Sequence, residues 1–289
     1  MRNLLLTTLC LLMTHAFSQK KVQYISEYTI SSTGKTKKAK LTCILPQDIE
    51  GVQNVDTIVY SMVPAQIFEK DGDRFAAFEI DSISESISIH ILATIDLWEN
   101  DFSAPKSITM HDSLDAFLSP EKYIECDQDL IVQQALKLKS RKSDLKTVKN
   151  IYAFVHKNLK YTGYNPDDVG ALVALKNMKG DCTEFADTFV ALCRANKIPA
   201  RVVEGYKTEN ISMPQHNWAE VFLPEFGWRT VDATRSSFQQ LDNDYVKLSH
   251  NRNLAALNGY RYFSYAYRGD PIRVVSRVTT SIAKNQDNH

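Results

Sequence analysis

The sequence predicts an α+β protein in which a β-sandwich precedes a second part that mixes helices and strands. Three observations carry this prediction. Between Val22 and Phe102 the apolar residues come in short bursts or alternate, most clearly at Ile87, Ile89 and Ile91 with Ser88 and His90 between them; that is the period of a strand with one buried face. After Pro120 the period lengthens, and Leu145, Val148, Ile151, Tyr152, Val155 and Leu159 fall on one side of a helix. Finally, Asp181 followed three residues later by Glu184 is the signature of a capped helix start, so a helix is expected to open at Cys182.

The elements follow in order. Residues 1–18 read as a secretory signal: Arg2 is the positive end, an apolar stretch runs from Leu4 to Phe17, and Ala16-Phe17-Ser18 offers small residues for cleavage. Lys20-Lys21 ends the stretch short of the ~20 apolar residues a spanning helix needs. Export to the periplasm or beyond is expected, with no membrane span left after signal removal. Residues 19–118 are assigned to the sandwich. Its bursts at Leu41–Leu45, Thr57–Tyr60 and Phe75–Phe78 are separated by turn signals at Ser32-Thr33-Gly34, Pro46-Gln47-Asp48 and Asp71-Gly72-Asp73.

Residues 119–289 are assigned to the second part, which mixes helices and strands. Ile131, Ala135, Leu136 and Leu138 predict a short helix, and Ser143 or Asp144 stands ready to cap the helical stripe that follows. Another short helix is expected from Ala171. The tail beyond Ser236 alternates around Tyr260, Tyr262, Phe263, Tyr265 and Tyr267 and reads as further strands.

Composition narrows the function. Lys+Arg and Asp+Glu balance at 34 each, so there is no long-range field to draw in nucleic acid. Removal of the signal leaves Cys43, Cys126, Cys182 and Cys193, with no CxxC pair to suggest a metal knuckle. No metal and no cofactor are implied. A disulfide between two of Cys43, Cys126 and Cys193 remains open.

Cys182 is the candidate nucleophile. A helix N-terminus presents free N–H groups and a partial positive charge, and this setting is expected to lower the thiol pKa and to offer donors for an oxyanion. A nucleophilic thiol needs a base, and the base needs an orienting acceptor. His216-Asn217-Trp218-Ala219-Glu220-Val221 reads as one strand, and Gly227-Trp228-Arg229-Thr230-Val231-Asp232 as its neighbour behind a tight turn at Pro224-Glu225-Phe226. Such a pair brings His216 and Asp232 together.

These residues resemble a known family. Gly180-Asp181-Cys182, Ala191 to Ala195, Ile198 to Tyr206, His216 to Val221, Gly227-Trp228 and Asp232-Ala233-Thr234 together are similar to the transglutaminase-like superfamily. The resemblance covers roughly 125 to 240. It implies a papain-like core in which a helix bearing the cysteine packs on an antiparallel sheet bearing His and Asp. It also implies Cys182 as nucleophile, His216 as base and then acid, and Asp232 as orienter. Tyr161 and Tyr164 are carried over as an oxyanion donor or site wall. The implied reaction is acyl transfer on amide bonds of a peptide or protein through a thioester, with hydrolysis favoured. Crosslinking, glycopeptide deglycosylation by the same triad, and a binding module with an idle site are the alternatives.

Overall fold

The computed structural model describes residues 19–99, 102, 114–209, 215–238, 242–250 and 254–283. The expected signal, 1–18, lies outside them. The first part contains six strands: β1 (Gln19–Ser32), β2 (Thr36–Leu45), β3 (Gln53–Tyr60), β4 (Gln66–Lys70), β5 (Asp73–Ile83) and β6 (Ile87–Trp98). Alternation does what the sequence promised. In β6, Ile89, Ile91, Ala93, Ile95 and Leu97 are all fully buried, while the residues between the first of them face outward. Ile89 and Ile91 meet Leu41 and Phe78 in the sandwich core.

The second part holds four helices, α1 (Asp129–Leu138), α2 (Asp144–Asn158), α3 (Gly170–Asn177) and α4 (Cys182–Ala195). Two short parallel strands, β7 (Lys160–Tyr161) and β8 (Lys179–Gly180), lead into α4. Strands β9 (Ala200–Lys207), β10 (Gln215–Leu223), β11 (Gly227–Val231) and β12 (Tyr245–Ser249) form an antiparallel sheet in the order β11-β10-β9-β12. Ser143 is the cap of α2, its hydroxyl accepting from Lys146 N at 3.1 Å. Helix α4 is central and buried on every side from Thr183 to Arg194. It packs on the other three helices and on β9 and β10, with Phe189 and Leu192 inside a core that also holds Val148, Ile151, Val202 and Val221. This is a papain-like α+β core.

The end of the chain corrects the expected division at residue 118. Strands β13 (Phe263–Gly269) and β14 (Ile272–Ile282) return to the sandwich and complete its two sheets, ordered β14-β1-β6-β3 and β13-β2-β5-β4. Tyr28 faces Ser276, and Leu41 faces Tyr265. The tail was legible as strands, but its period says nothing about which edge it covers. Without it, β1 and β2 would each expose a row of unpaired backbone groups.

The two parts also share a core. Tyr24, Ile44 and Phe75 of the sandwich pack with Tyr206, Val246 and Leu248 of the β9–β12 sheet. Gln53 donates to Lys247 O at 3.0 Å and accepts from Lys247 N at 2.9 Å. Among the described residues Cys43, Cys126, Cys182 and Cys193 are all free thiols: Cys126 and Cys193 sit in the core around α4, Cys43 in the sandwich core and Cys182 at the first turn of α4.

Candidate active site

The capping box at the start of α4 is complete. Asp181 accepts from Thr183 N at 2.7 Å, and Glu184 accepts from Asp181 N at 3.0 Å. The outer oxygens of both carboxylates reach the preceding loop, taking Asn165 N at 2.9 Å and Val169 N at 3.2 Å. One cap therefore holds both the helix end and the loop beside it. Gly180 serves close approach: a Cβ there would lie 2.3 Å from Glu184 Cβ, so any side chain would push Glu184 out of the box.

This cap overturns the electrostatic expectation for Cys182. Burial pushes the thiol up to about 11, Asp181 adds to the rise, and the backbone N–H of Asn217 opposes it. The carboxylates that complete the helix end also screen its positive potential. The free thiol is thus held as a thiol. Activation must come from a neighbouring base.

The residue expected to be that base is held by a carboxylate. His216 Nε2 donates to Asp232 Oδ2 at 2.7 Å, and both side chains are almost fully buried. His216 is the second residue of β10, and Asp232 directly follows β11, the adjacent strand. Asp232 also accepts from Thr234 Oγ1 at 2.6 Å, Thr234 N at 3.0 Å and Tyr245 Oη at 3.0 Å. Burial alone would raise its pKa, but His216 and the Thr234 donors hold it well below the usual carboxylate range. Asp232 is ionised, and His216 is pinned with Nε2 toward it.

Cys182 and His216 line one cavity of about 210 Å³, together with Tyr161, Tyr164, Thr183, Gln215, Asn217 and Arg261. All the residues singled out from the sequence therefore border this cavity or, for Asp232, stand directly behind it. Tyr161 is about half exposed and edges onto Phe185, whereas Tyr164 is more exposed still. A larger hollow of about 280 Å³ on the sandwich is lined by Lys38, Lys40, Glu79 and Asp81 among others, with no cysteine, serine, threonine or histidine in its lining.

Sequence reasoning missed Arg261 and Tyr245. Arg261 reaches the cavity from the segment before β13. It pairs with Asp168, approaches Glu204 at 3.6 Å and faces Asn217. The Asn217 amide is best oriented with its oxygen accepting from Thr183 Oγ1 (2.9 Å) and Arg261 Nη1 (3.0 Å); the opposite orientation would set donor against donor at the guanidinium. Nothing local marks either residue, because each reaches the site through long-range strand pairing.

Residues 133–233 match the family model of the transglutaminase-like superfamily. The chain contains a transglutaminase-like core domain. A solved structure described as a candidate cysteine protease from Cytophaga hutchinsonii superposes with a TM-score of 0.69 at 20% identity, covering 94% of this chain and 93% of that one. That likeness extends the shared fold from the transglutaminase-like core to the sandwich. An uncharacterised protein of Haemophilus influenzae is 26% identical over 159 residues, 46% of this chain and 43% of the relative. The uncharacterised YebA of Bacillus subtilis is 31% identical over 85 residues, 25% of this chain and 12% of YebA. The chain thus spans less than half the length of either curated relative.

Proposed function

We propose that this chain is an exported cysteine-dependent enzyme that hydrolyses amide bonds in peptides or proteins through Cys182, His216 and Asp232. The observation that carries this reading is the 2.7 Å His216–Asp232 pair, buried behind a cavity that Cys182 also lines. A buried, oriented imidazole beside an otherwise inert thiol is the arrangement general-base activation requires.

With its thiol pushed up to about 11, Cys182 rests protonated. As Sγ bonds to the substrate carbonyl carbon, its proton passes to His216 Nδ1, while Nε2–H stays on Asp232. The tetrahedral oxyanion then needs donors. Tyr161 is suited to this, since burial and the neighbouring Cys182 push its phenol up to about 12 and keep the hydroxyl proton available. Tyr164 forms part of the wall. Collapse breaks the C–N bond, His216 hands its proton to the leaving amine, and a thioester remains on Cys182. Water, deprotonated by His216, cleaves the thioester to a carboxylic acid and restores the thiol. A lysine amine in place of water would form an isopeptide crosslink.

Export rests on the signal pattern of residues 1–18; among the described residues no helix is long and apolar enough to cross a membrane. The test is iodoacetamide labelling of Cys182 against pH in the wild type and His216→Ala, followed by digestion of unfolded casein. Labelling that collapses without His216, with casein fragments lost in Cys182→Ala, supports hydrolysis. High-mass casein ladders would replace hydrolysis by crosslinking. Slow labelling that is identical in both proteins would make the site idle.

A further inference from the structure

We propose that Tyr245 is a positioning residue for the catalytic pair, fixing the Asp232 carboxylate and thereby setting the proton affinity of His216. The inference rests on the triad reading above and adds a member to it. Tyr245 opens β12, which is separated from the His216 strand by β9. A side chain on β12 reaches the triad only if the strand between leaves room. Gly205 provides that room. It is the β9 residue opposite both His216 and Lys247, and a Cβ on it would lie 2.9 Å from Trp218 Cη2 and 2.1 Å from Val246 O.

Three rings fill the gap. Trp218 and Tyr245 stack with centroids 4.5 Å apart, and His216 lies nearly parallel to Tyr245 at 6.3 Å. The pile aims the Tyr245 hydroxyl at Asp232 Oδ2, 3.0 Å away, on the same oxygen that takes the His216 proton donor at 2.7 Å. Tyr245 has no accessible surface, so it does not touch substrate. It acts through Asp232.

The other ionisable groups around the pair come from every neighbouring element. Arg235 approaches Asp232 at 3.7 Å and is itself tied to Glu209 at 2.7 Å. From α2, Tyr152 donates to Arg235 O at 2.7 Å, and His156 Nδ1 lies 3.0 Å from Ala233 O. Cys182 and Asp181 stand at the start of α4, and Lys207 ends β9. The Tyr245 phenol shares the carboxylate oxygen Oδ2 with His216 at hydrogen-bond distance. Its donated proton draws charge from Oδ2 and weakens the hold of that oxygen on an imidazolium.

The sign follows. Tyr245→Phe keeps the ring stack and deletes the donor, so Oδ2 concentrates its charge on His216, and the imidazole binds its proton more tightly. A rise in proton affinity of roughly three- to tenfold is expected for loss of one hydrogen bond to a charged group. The measurement is the NMR titration of the His216 ring in full-length wild type and Tyr245→Phe, with the pH profile of Cys182 alkylation alongside. The inference predicts that the His216 midpoint and the matching limb of the alkylation profile both move to higher pH. An unmoved or lowered midpoint in a folded Tyr245→Phe protein would overturn it. If that variant does not fold, the wild type still decides: a slowly exchanging hydroxyl proton with a nuclear Overhauser contact to the His216 ring supports the inference, and its absence refutes it. The titration is independent of the triad reading, which fails separately if Cys182 labelling ignores His216→Ala.

Discussion

Replacing Lys247 by methionine removes a buried cation from between two buried carboxylates. Lys247 Nζ lies 2.5 Å from Glu220 Oε1 and 2.8 Å from Asp242 Oδ1, and all three side chains are almost wholly buried. Glu220 keeps Arg201 at 2.7 Å after the change. Asp242 is left with the Thr230 hydroxyl, which cannot neutralise it. Methionine is close in length, so packing is nearly preserved and the cost is electrostatic. Breaking a buried pair from one side costs about 3–5 kcal/mol. For a chain of this size, at ~2 °C per kcal/mol, that corresponds to a fall in Tm of roughly 6–10 °C.

The penalty carries a sign in pH. Despite its burial, Glu220 is held well below the usual carboxylate range by Lys247 and Arg201. A lowered folded pKa makes that contribution complete above the unfolded value of about 4.3 and loses it as pH falls below that value, so removing Lys247 costs more at pH 7 than at pH 4. Urea unfolding at pH 4 and at pH 7 reads both effects. A loss below ~1 kcal/mol at pH 7, or one equal at the two pH values, would refute the reasoning. Adding Asp242→Asn to Lys247→Met should recover part of the loss, because the orphaned charge is gone.

Three other outcomes are expected. Gly180→Ala should cost about 1–2 kcal/mol in thermal unfolding and lower casein cleavage, since its Cβ would displace Glu184 from the cap that also holds Val169. Ser143→Ala should cost about 1 kcal/mol, the usual worth of an N-cap hydroxyl, with the Cys182 labelling rate unchanged. Stability should also fall on the alkaline side. Burial pushes Cys43 up to about 12, a raised folded pKa, so its contribution is complete below the unfolded value near 8.5 and is lost as pH rises toward 12; Cys43→Ala should flatten that slope in urea titrations from pH 8 to 10.

What was legible in the sequence is what short-range physics encodes. The stripe from Leu145 to Leu159 became α2, and the Asp181–Glu184 spacing placed the first residue of α4 at Cys182. The tight turn at Pro224-Glu225-Phe226 made β10 and β11 neighbours, which left His216 and Asp232 within reach of each other. What was not legible depends on partners distant in sequence. The return of β13 and β14 to β2 and β1 spans more than 200 residues. Arg261 and Tyr245 reach the site only through such pairings. The thiol of Cys182 was misjudged for a different reason: the capping pattern was read for its geometry, while the charge of Asp181 and the burial of the sulfur act against a thiolate.

Strand β12 explains why the sandwich and the catalytic part cannot be treated as independent. Its alternation divides its side chains between two tasks. Val246 and Leu248 point into the core shared with Tyr24, Ile44 and Phe75 of the sandwich. Tyr245 and Lys247, on the opposite parity, meet Asp232 and the Glu220–Asp242 pair. Gln53 of β3 brackets the Lys247 backbone on both its N–H and its carbonyl, and Ser249 donates to Asp73 at 2.8 Å. A β-strand is stiff and its side-chain period is two, so a shift of the sandwich against β12 cannot move Val246 without moving Tyr245. Because Asp232 is held from behind by Tyr245, and His216 by Asp232, such a shift reaches the imidazole through two hydrogen bonds. The sandwich thereby takes part in holding the geometry of the proposed triad, although none of its described residues lines the cavity.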